Sequence, residues 1–276
     1  MQDRIHLTIT DGVADVRLNR PDKMNALDPA MFKAIAETGA RLKEDVGIRA
    51  VVLSGEGRAF CAGLDVERMT AMTRGESILP FADLTRRTHG IANYVQHIVW
   101  VWRELPMPVI AAVHGVAVGG GFQLALGADL RYVAPDTRLG IIESKWGLVP
   151  DMAGTQLMRH LAREDVVREL TYTARTFSGE EALAYGFATR LEADPRAAAL
   201  ATARDIAARN PFAIRAAKRL LNQAVACGAA AALAAETDEQ RELIGSPNQV
   251  EAVRANLENR APNFADAVAR SCAHVT

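Results

Sequence analysis

The chain opens on alternation: Ile5, Leu7 and Ile9 are separated by polar residues, Asp11-Gly12 supplies a turn, and Val13, Val16 and Leu18 resume the apolar pattern. Side chains along a strand point to opposite faces in turn, so this segment reads as a β-hairpin. The period then changes. Asp28 before Pro29 is a helix N-cap with proline at the first helical position, and Met31, Ile35 and Leu42 keep helical spacing to about Lys43. Residues 48–53 form a continuous apolar run, a buried strand that enters the loop Ser54-Gly55-Glu56-Gly57. Residues 69–87 are polar, mixed and weakly periodic, which predicts a mobile or partly helical insertion. A helix is expected from residue 90 to about 105, stopped by Pro106 and Pro108. A strand over 109–113, a glycine loop, a helix over 122–126, a strand over 130–133 and a helix near 155–161 follow. This alternation of strand, loop and helix predicts an α/β fold.

From about Pro195 alanine dominates, strand patterns vanish, and breaks fall at Asn210-Pro211, Gly228 and Ser246-Pro247. The expected organisation is a core over residues 1–195 that carries the site, followed by a helical region over 196–276. Such a region, too alanine-rich for a deep core of its own, is either a lid on its own chain or a packing surface for sister subunits, and the second reading is favoured.

Charge narrows the partners. Lys and Arg number 32 against 33 Asp and Glu, a net charge of -1, so no global field draws nucleic acid or an anionic membrane. Residues 106–128 carry no formal charge, but two prolines, a glycine triplet, His114 and Gln123 interrupt the run and argue against a membrane span. The three cysteines, Cys61, Cys227 and Cys272, are widely spaced, and no apolar leader precedes Ile5. Both features predict a reducing, cytoplasmic setting. The histidines lack metal-ligand spacing, so no metal is expected; G-x-G-x-x-G and P-loop patterns are missing too.

Two glycine stretches carry the candidate chemistry: Phe60-Cys61-Ala62-Gly63-Leu64-Asp65 and His114-Gly115-Val116-Ala117-Val118-Gly119-Gly120-Gly121-Phe122-Gln123. Glycine after an apolar run lets backbone approach a ligand, and a helix start leaves N–H groups free. Two such loops brought together would form an oxyanion hole. Cys61 beside the hole has no evident histidine partner and reads as a packed side chain.

These stretches, with Leu18-Asn19-Arg20-Pro21-Asp22-Lys23-Met24-Asn25-Ala26-Leu27 and Gly147-Leu148-Val149-Pro150-Asp151-Met152-Ala153-Gly154-Thr155, resemble the crotonase (enoyl-CoA hydratase/isomerase) superfamily. The resemblance implies a spiral of repeated ββα units, a C-terminal helical trimerisation region, and homotrimers or dimers of trimers. It implies an acyl-CoA thioester as substrate, with coenzyme A as part of that substrate and no separate cofactor. By position, the N–H groups of Leu64 and Gly120 correspond to the oxyanion-hole donors. Lys23, Met24, Ala26, Ala62, Gly63, Asp65, Val66 and Gly119 fall in segments that line the CoA channel; Arg68 corresponds to a phosphate partner. Phe264 falls where relatives send an aromatic ring toward a neighbour's adenine.

Hydratase relatives use two glutamates, and only the second is present, as Glu143. Gln123 occupies the first position, and an amide cannot accept a proton at neutral pH. Asp151 stands where many hydratases carry glycine and resembles the acid of dienoyl-CoA isomerases. The expected roles are Glu143 as acid/base, Asp151 as its partner and Gln123 as a polar orienter. Glu143 could instead face Lys145 or Arg138 as a structural acid, Asp151 could cap the next helix, and Gln123 could serve only a buried turn. Enoyl-CoA hydration is the first reading, dienoyl- or enoyl-CoA isomerisation through Glu143 and Asp151 the second, and a non-catalytic CoA-binding scaffold the third.

Overall fold

A computed structural model describes residues 4–76, 79 and 83–267. Cys272, residues 77, 78 and 80–82 of the expected insertion, and the end of the helical tail lie outside these. Asp11 and Gly12 both take positive φ, 49° and 76°, the turn that an Asp-Gly pair favours. They fold β1 (Ile5–Thr10) antiparallel onto β2 (Val13–Leu18). Asp28 caps α1 (Pro29–Glu44) by accepting from the Met31 N–H at 2.7 Å, and Met31, Phe32, Ile35 and Leu42 form its buried face. The chain returns parallel to β2 as β3 (Ala50–Gly55).

Among its described residues, the insertion begins within the short helix α2 (Val66–Met72). The next helix, α3 (Tyr94–Glu104), begins four residues later than expected. Gly90 has φ of 60° and His89 and Ala92 exchange two backbone bonds, so a turn occupies 89–92 before Asn93 and Gln96 cap the helix reciprocally.

From β4 (Val109–Val113) onward the chain alternates between two sheets. β4, β6 (Leu130–Val133) and β9 (Arg190–Leu191) join the large sheet in the order β1-β2-β3-β4-β6-β9, while β5 (Val116–Val118), β7 (Arg138–Gly140) and β8 (Thr176–Phe177) form a small one. Helices α4 (Gly120–Leu126), α5 (Gly154–Met158), α6 (Glu164–Thr173) and α7 (Gly179–Tyr185) connect them. The result is the spiral of ββα turns the resemblance implies. Strands of two or three residues are too short to leave an alternating signature, so the small sheet is absent from the pattern reading. Phe32, Leu53, Phe60, Trp102, Phe122 and Phe187 fill the core that α1, α3 and α4 close.

The large sheet's other face, with Val13, Ala50, Val52, Ile110 and Ala112, is covered by α8 (Pro195–Ala207) through Ala199, Ala203 and Ala207. Core packing therefore continues beyond residue 195. α9 (Pro211–Ala224) is moored by buried Lys218, which donates to the carbonyls of Trp102 and Met107 and pairs with Asp129 at 2.7 Å. α10 (Ala229–Leu243) buries none of its residues, and α11 (Pro247–Leu257) ends the described helices. No helix of the structure is long and apolar enough to cross a membrane among the described residues.

Candidate active site

The loop after β3 is held from three sides. Asn25, fully buried, donates to the carbonyls of Glu56 and Ala59, and the Ala62 N–H bonds the Met24 carbonyl. Cys61 bonds both ways with β5, through its N–H to Val116 and its carbonyl to the Val118 N–H. Leu27 takes the Gly63 carbonyl and the Asp65 N–H, at 2.8 and 3.1 Å. In an extended segment alternate groups face opposite ways, so the intervening Leu64 N–H is turned from Leu27. It makes no hydrogen bond among the described residues.

Gly120 opens α4, so its N–H has no partner in the helix, and it too donates to no described group. The two loops touch. A Cβ at Gly63, whose φ is 83°, would lie 2.7 Å from the Val118 carbonyl oxygen and 3.5 Å from the Gly120 nitrogen, so only glycine allows this approach. Both donors border one cavity of about 140 Å³. A larger open cavity, about 670 Å³, lies between α1 and α3, but its walls are two helix faces whose N–H groups are mostly spent within the helices.

Glu143 enters from the turn after β7. It is 8% exposed, and its Oε1 would sit 3.7 Å from a Cβ on Gly119, beside the free donors. Gln123 on α4 is 1% exposed and its amide holds the site together. Its Nε2 donates to Glu143 Oε1 at 2.6 Å, and its Oε1 accepts from the N–H groups of Met152 and Gly154 at 2.9 and 3.0 Å. Gly154 must lack a side chain, because a Cβ there would come within 2.5 Å of Gln123 Oε1. Glu143 Oε2 is buried with no partner. A neutral Glu143 carries its proton on Oε2, since Oε1 is already an acceptor.

Asp151 borders the same cavity from further along the connection between β7 and α5. Burial raises the Glu143 pKa against the opposing Gln123 bond, and the Asp151 charge raises it further. Burial of its carboxyl raises Asp151 as well, although the residue as a whole is exposed at the rim. Gln123 does serve a buried turn, through Met152 and Gly154, while the structural roles weighed for the two acids find no support. Glu143 pairs with neither Lys145 nor Arg138, and α5 has no side-chain cap, its N-cap being Ala153.

Of the expected channel residues, Ala62, Gly63, Leu64, Val66, Gly119 and Gly120 border the cavity. Lys23 is exposed and Met24 half-buried in a turn against Ala62, and Arg68 is half-buried on α2. Ala26 is buried and its carbonyl accepts from Arg20. Asp65 is taken up by the fold: it pairs with Arg20 and caps α2 through the Glu67 N–H. These partners outweigh its burial and hold the carboxyl below the usual range. Phe264 departs from expectation. It is buried in its own chain at 9% exposure, because Arg49 binds the Phe264 carbonyl and Asp266, and Asn248 holds Ala265 through both backbone groups. The ring is therefore not free to reach a neighbour. Cys61 is inert as expected: burial pushes its thiol up to about 12 and its Sγ donates to the Asn25 carbonyl.

Sequence reasoning missed the apolar walls, including Phe32, Met69, Val95, Ile142, Leu148 and Met152. Leu148 and Met152 fall in the motif over 147–155 without being marked as wall, and the others come from distant segments; helical spacing marked only Phe32's neighbours in α1 as buried.

A two-sheet spiral holding two free main-chain donors beside a buried acid belongs to the crotonase class. The Enoyl-CoA hydratase/isomerase family model matches residues 8–267. The human mitochondrial Delta(3,5)-Delta(2,4)-dienoyl-CoA isomerase is 32% identical over 255 residues, covering 90% of this chain and 77% of the relative. Mouse mitochondrial methylglutaconyl-CoA hydratase is 31% identical, covering 92% and 79%. A solved enoyl-CoA hydratase from Polaromonas sp. JS666 superposes with a TM-score of 0.85 at 28% identity, over 95% of this chain and 99% of that one. The chain belongs to the enoyl-CoA hydratase/isomerase family and is an enzyme of hydratase/isomerase type.

Proposed function

We propose that the chain shifts a double bond along an unsaturated acyl-CoA thioester, with Glu143 and Asp151 as its two proton carriers. The observation that carries this reading is the locked amide of Gln123: its oxygen holds two N–H groups and its nitrogen holds Glu143. It offers no acceptor to an attacking water. The second acid at this cavity is Asp151, near enough for its charge to act on Glu143.

In this mechanism the thioester oxygen sits on the N–H groups of Leu64 and Gly120. One carboxylate removes a proton from the carbon chain, the C–H electrons move into the conjugated system, and negative charge gathers on that oxygen. The second carboxyl, still protonated, returns a proton at the far end of the system. Two acids with burial-raised pKa values suit this division, since one can stay neutral while the other is ionised. Gln123 acts through Glu143 and is a positioning residue. Exposed Lys23 and half-buried Arg68 are the cations available to the CoA phosphates, and coenzyme A enters only as part of the substrate.

Hydration of a trans-2-enoyl thioester is the second reading. Glu143 Oε2, buried and without a partner, is the observation that favours it, because one free oxygen can hold a water. The two separate in labelled solvent. With a 3,5-dienoyl and a trans-2-enoyl thioester in D2O and H2(18)O, isomerisation enters deuterium without heavy oxygen; heavy oxygen in the main product would replace this proposal by hydration. Binding without turnover on either substrate would leave a CoA-binding scaffold. The free thiols Cys61 and Cys227 fit a reducing, cytoplasmic setting. The exposed apolar residues of the tail, Leu221, Leu233, Ile244 and Leu257, suit packing into a trimer or a dimer of trimers.

A further inference from the structure

We infer that the acyl group accepted here is an uncharged hydrocarbon chain, and that the site rejects thioesters whose acyl group ends in a second carboxylate. This rests on the reading above only in taking the cavity beside Leu64 and Gly120 as the acyl site.

The walls beyond the reacting groups are Phe32 from α1, Met69 from α2, Val95 from α3, and Ile142, Leu148 and Met152 from the connection between β7 and α5. None carries charge. Among the described residues no lysine, arginine or histidine borders this cavity; its only ionisable groups are Glu143 and Asp151. Besides these acids, only Gln123 and Trp146 bring polar side-chain atoms to the lining, and both are uncharged; Gln123 has spent its oxygen on two N–H groups and directs its nitrogen to Glu143. Lys145, two residues after Glu143, lies 5.9 Å from the Trp146 ring centre and does not line the cavity.

The volume sharpens the point. About 140 Å³ is room for roughly five waters at about 30 Å³ each, so the distal end of a five-carbon acyl group falls inside these walls. A carboxylate there would lose its hydration, find no cation, and face two acids. Burying an unpaired ion is among the costliest events in a protein interior, and like charges add to it. Identity at the level found among the relatives does not separate hydrocarbon from dicarboxylic acyl groups. The charge of the wall does.

The test is binding by the full-length protein at neutral pH, read by calorimetry with two saturated, unreactive thioesters of equal carbon count, pentanoyl-CoA and pentanedioyl-CoA. The expected result is at least tenfold weaker binding of the pentanedioyl thioester. Affinities within threefold of each other, or a pentanoyl thioester no tighter than CoA alone, would overturn the inference. Leu148→Lys puts a cation on a half-exposed part of the wall and is expected to narrow the gap at least threefold. An unchanged gap, in a variant that still binds pentanoyl-CoA, would remove charge as its cause. The isomerase reading fails separately: loss of turnover on unsaturated thioesters with the binding gap intact defeats that reading alone.

Discussion

An amide stands where a two-glutamate site would put its first acid, and its three hydrogen bonds decide what the neighbouring acid can do. Glu143→Gln keeps the shape and removes the proton carrier, so activity on an unsaturated thioester is expected to fall about 10²–10⁴-fold. Its stability should move the other way. Glu143 has its pKa raised by burial, so as pH rises the unfolded chain ionises first while the folded protein keeps its proton. The folded state then binds more protons than the unfolded one, and stability declines from the ordinary glutamate pKa up to the raised value. Glu143→Gln should flatten this decline, with Tm at pH 7.5 equal to or above the parent's in a thermal scan across pH 4–8. A lower Tm there would mean that Glu143 is a stabilising structural acid. Gln123→Glu keeps an oxygen for Met152 and Gly154 and supplies the missing acid. It is expected to raise heavy-oxygen incorporation relative to double-bond migration at least tenfold in the labelling assay.

At the scale of elements, the pairing of the free Leu64 and Gly120 N–H groups is a product of two loops docking, and glycine is what permits it. Gly63→Ala would set a methyl 2.7 Å from the Val118 carbonyl oxygen on a backbone with φ of 83°. The loop must yield, the Leu64 and Gly120 donors part, and kcat should drop about 10²–10³-fold, the typical effect of losing one such donor. Circular dichroism should show the fold retained; unaltered kcat would dissociate these amides from catalysis. Helix starts were legible in the chain where a capping pair stood, as at Asp28-Pro29. The start of α3 was not, because Gly90 and the 89–92 turn precede the true cap, Asn93.

At the scale of the whole molecule, the tail is bolted to the core by a buried charge. Lys218→Ala leaves two carbonyls without their donor and Asp129 with only the Val109 N–H, and is expected to lower stability by about 1–3 kcal/mol in denaturant unfolding. A loss under 1 kcal/mol would show that α9 is held by its apolar contacts alone. In the proposed assembly, the exposed leucines of α9–α11 are the packing surface. Leu233→Lys with Leu257→Lys should leave the folded chain intact and reduce its sedimentation mass toward that of one subunit; an unchanged mass would exclude this face from assembly.

The chain by itself determined the hairpin, the capped first helix, the α/β alternation, the two glycine loops and Glu143 with Asp151, because each is written in local spacing, in turn chemistry or in a short motif. Tertiary structure alone decided the rest. It bonded Gln123 to Glu143 and to a loop nearly thirty residues away, gathered an apolar wall from α1, α2, α3 and the connection before α5, and buried Phe264 against its own chain. Those outcomes depend on which surfaces meet in space, and no periodicity along a sequence records that.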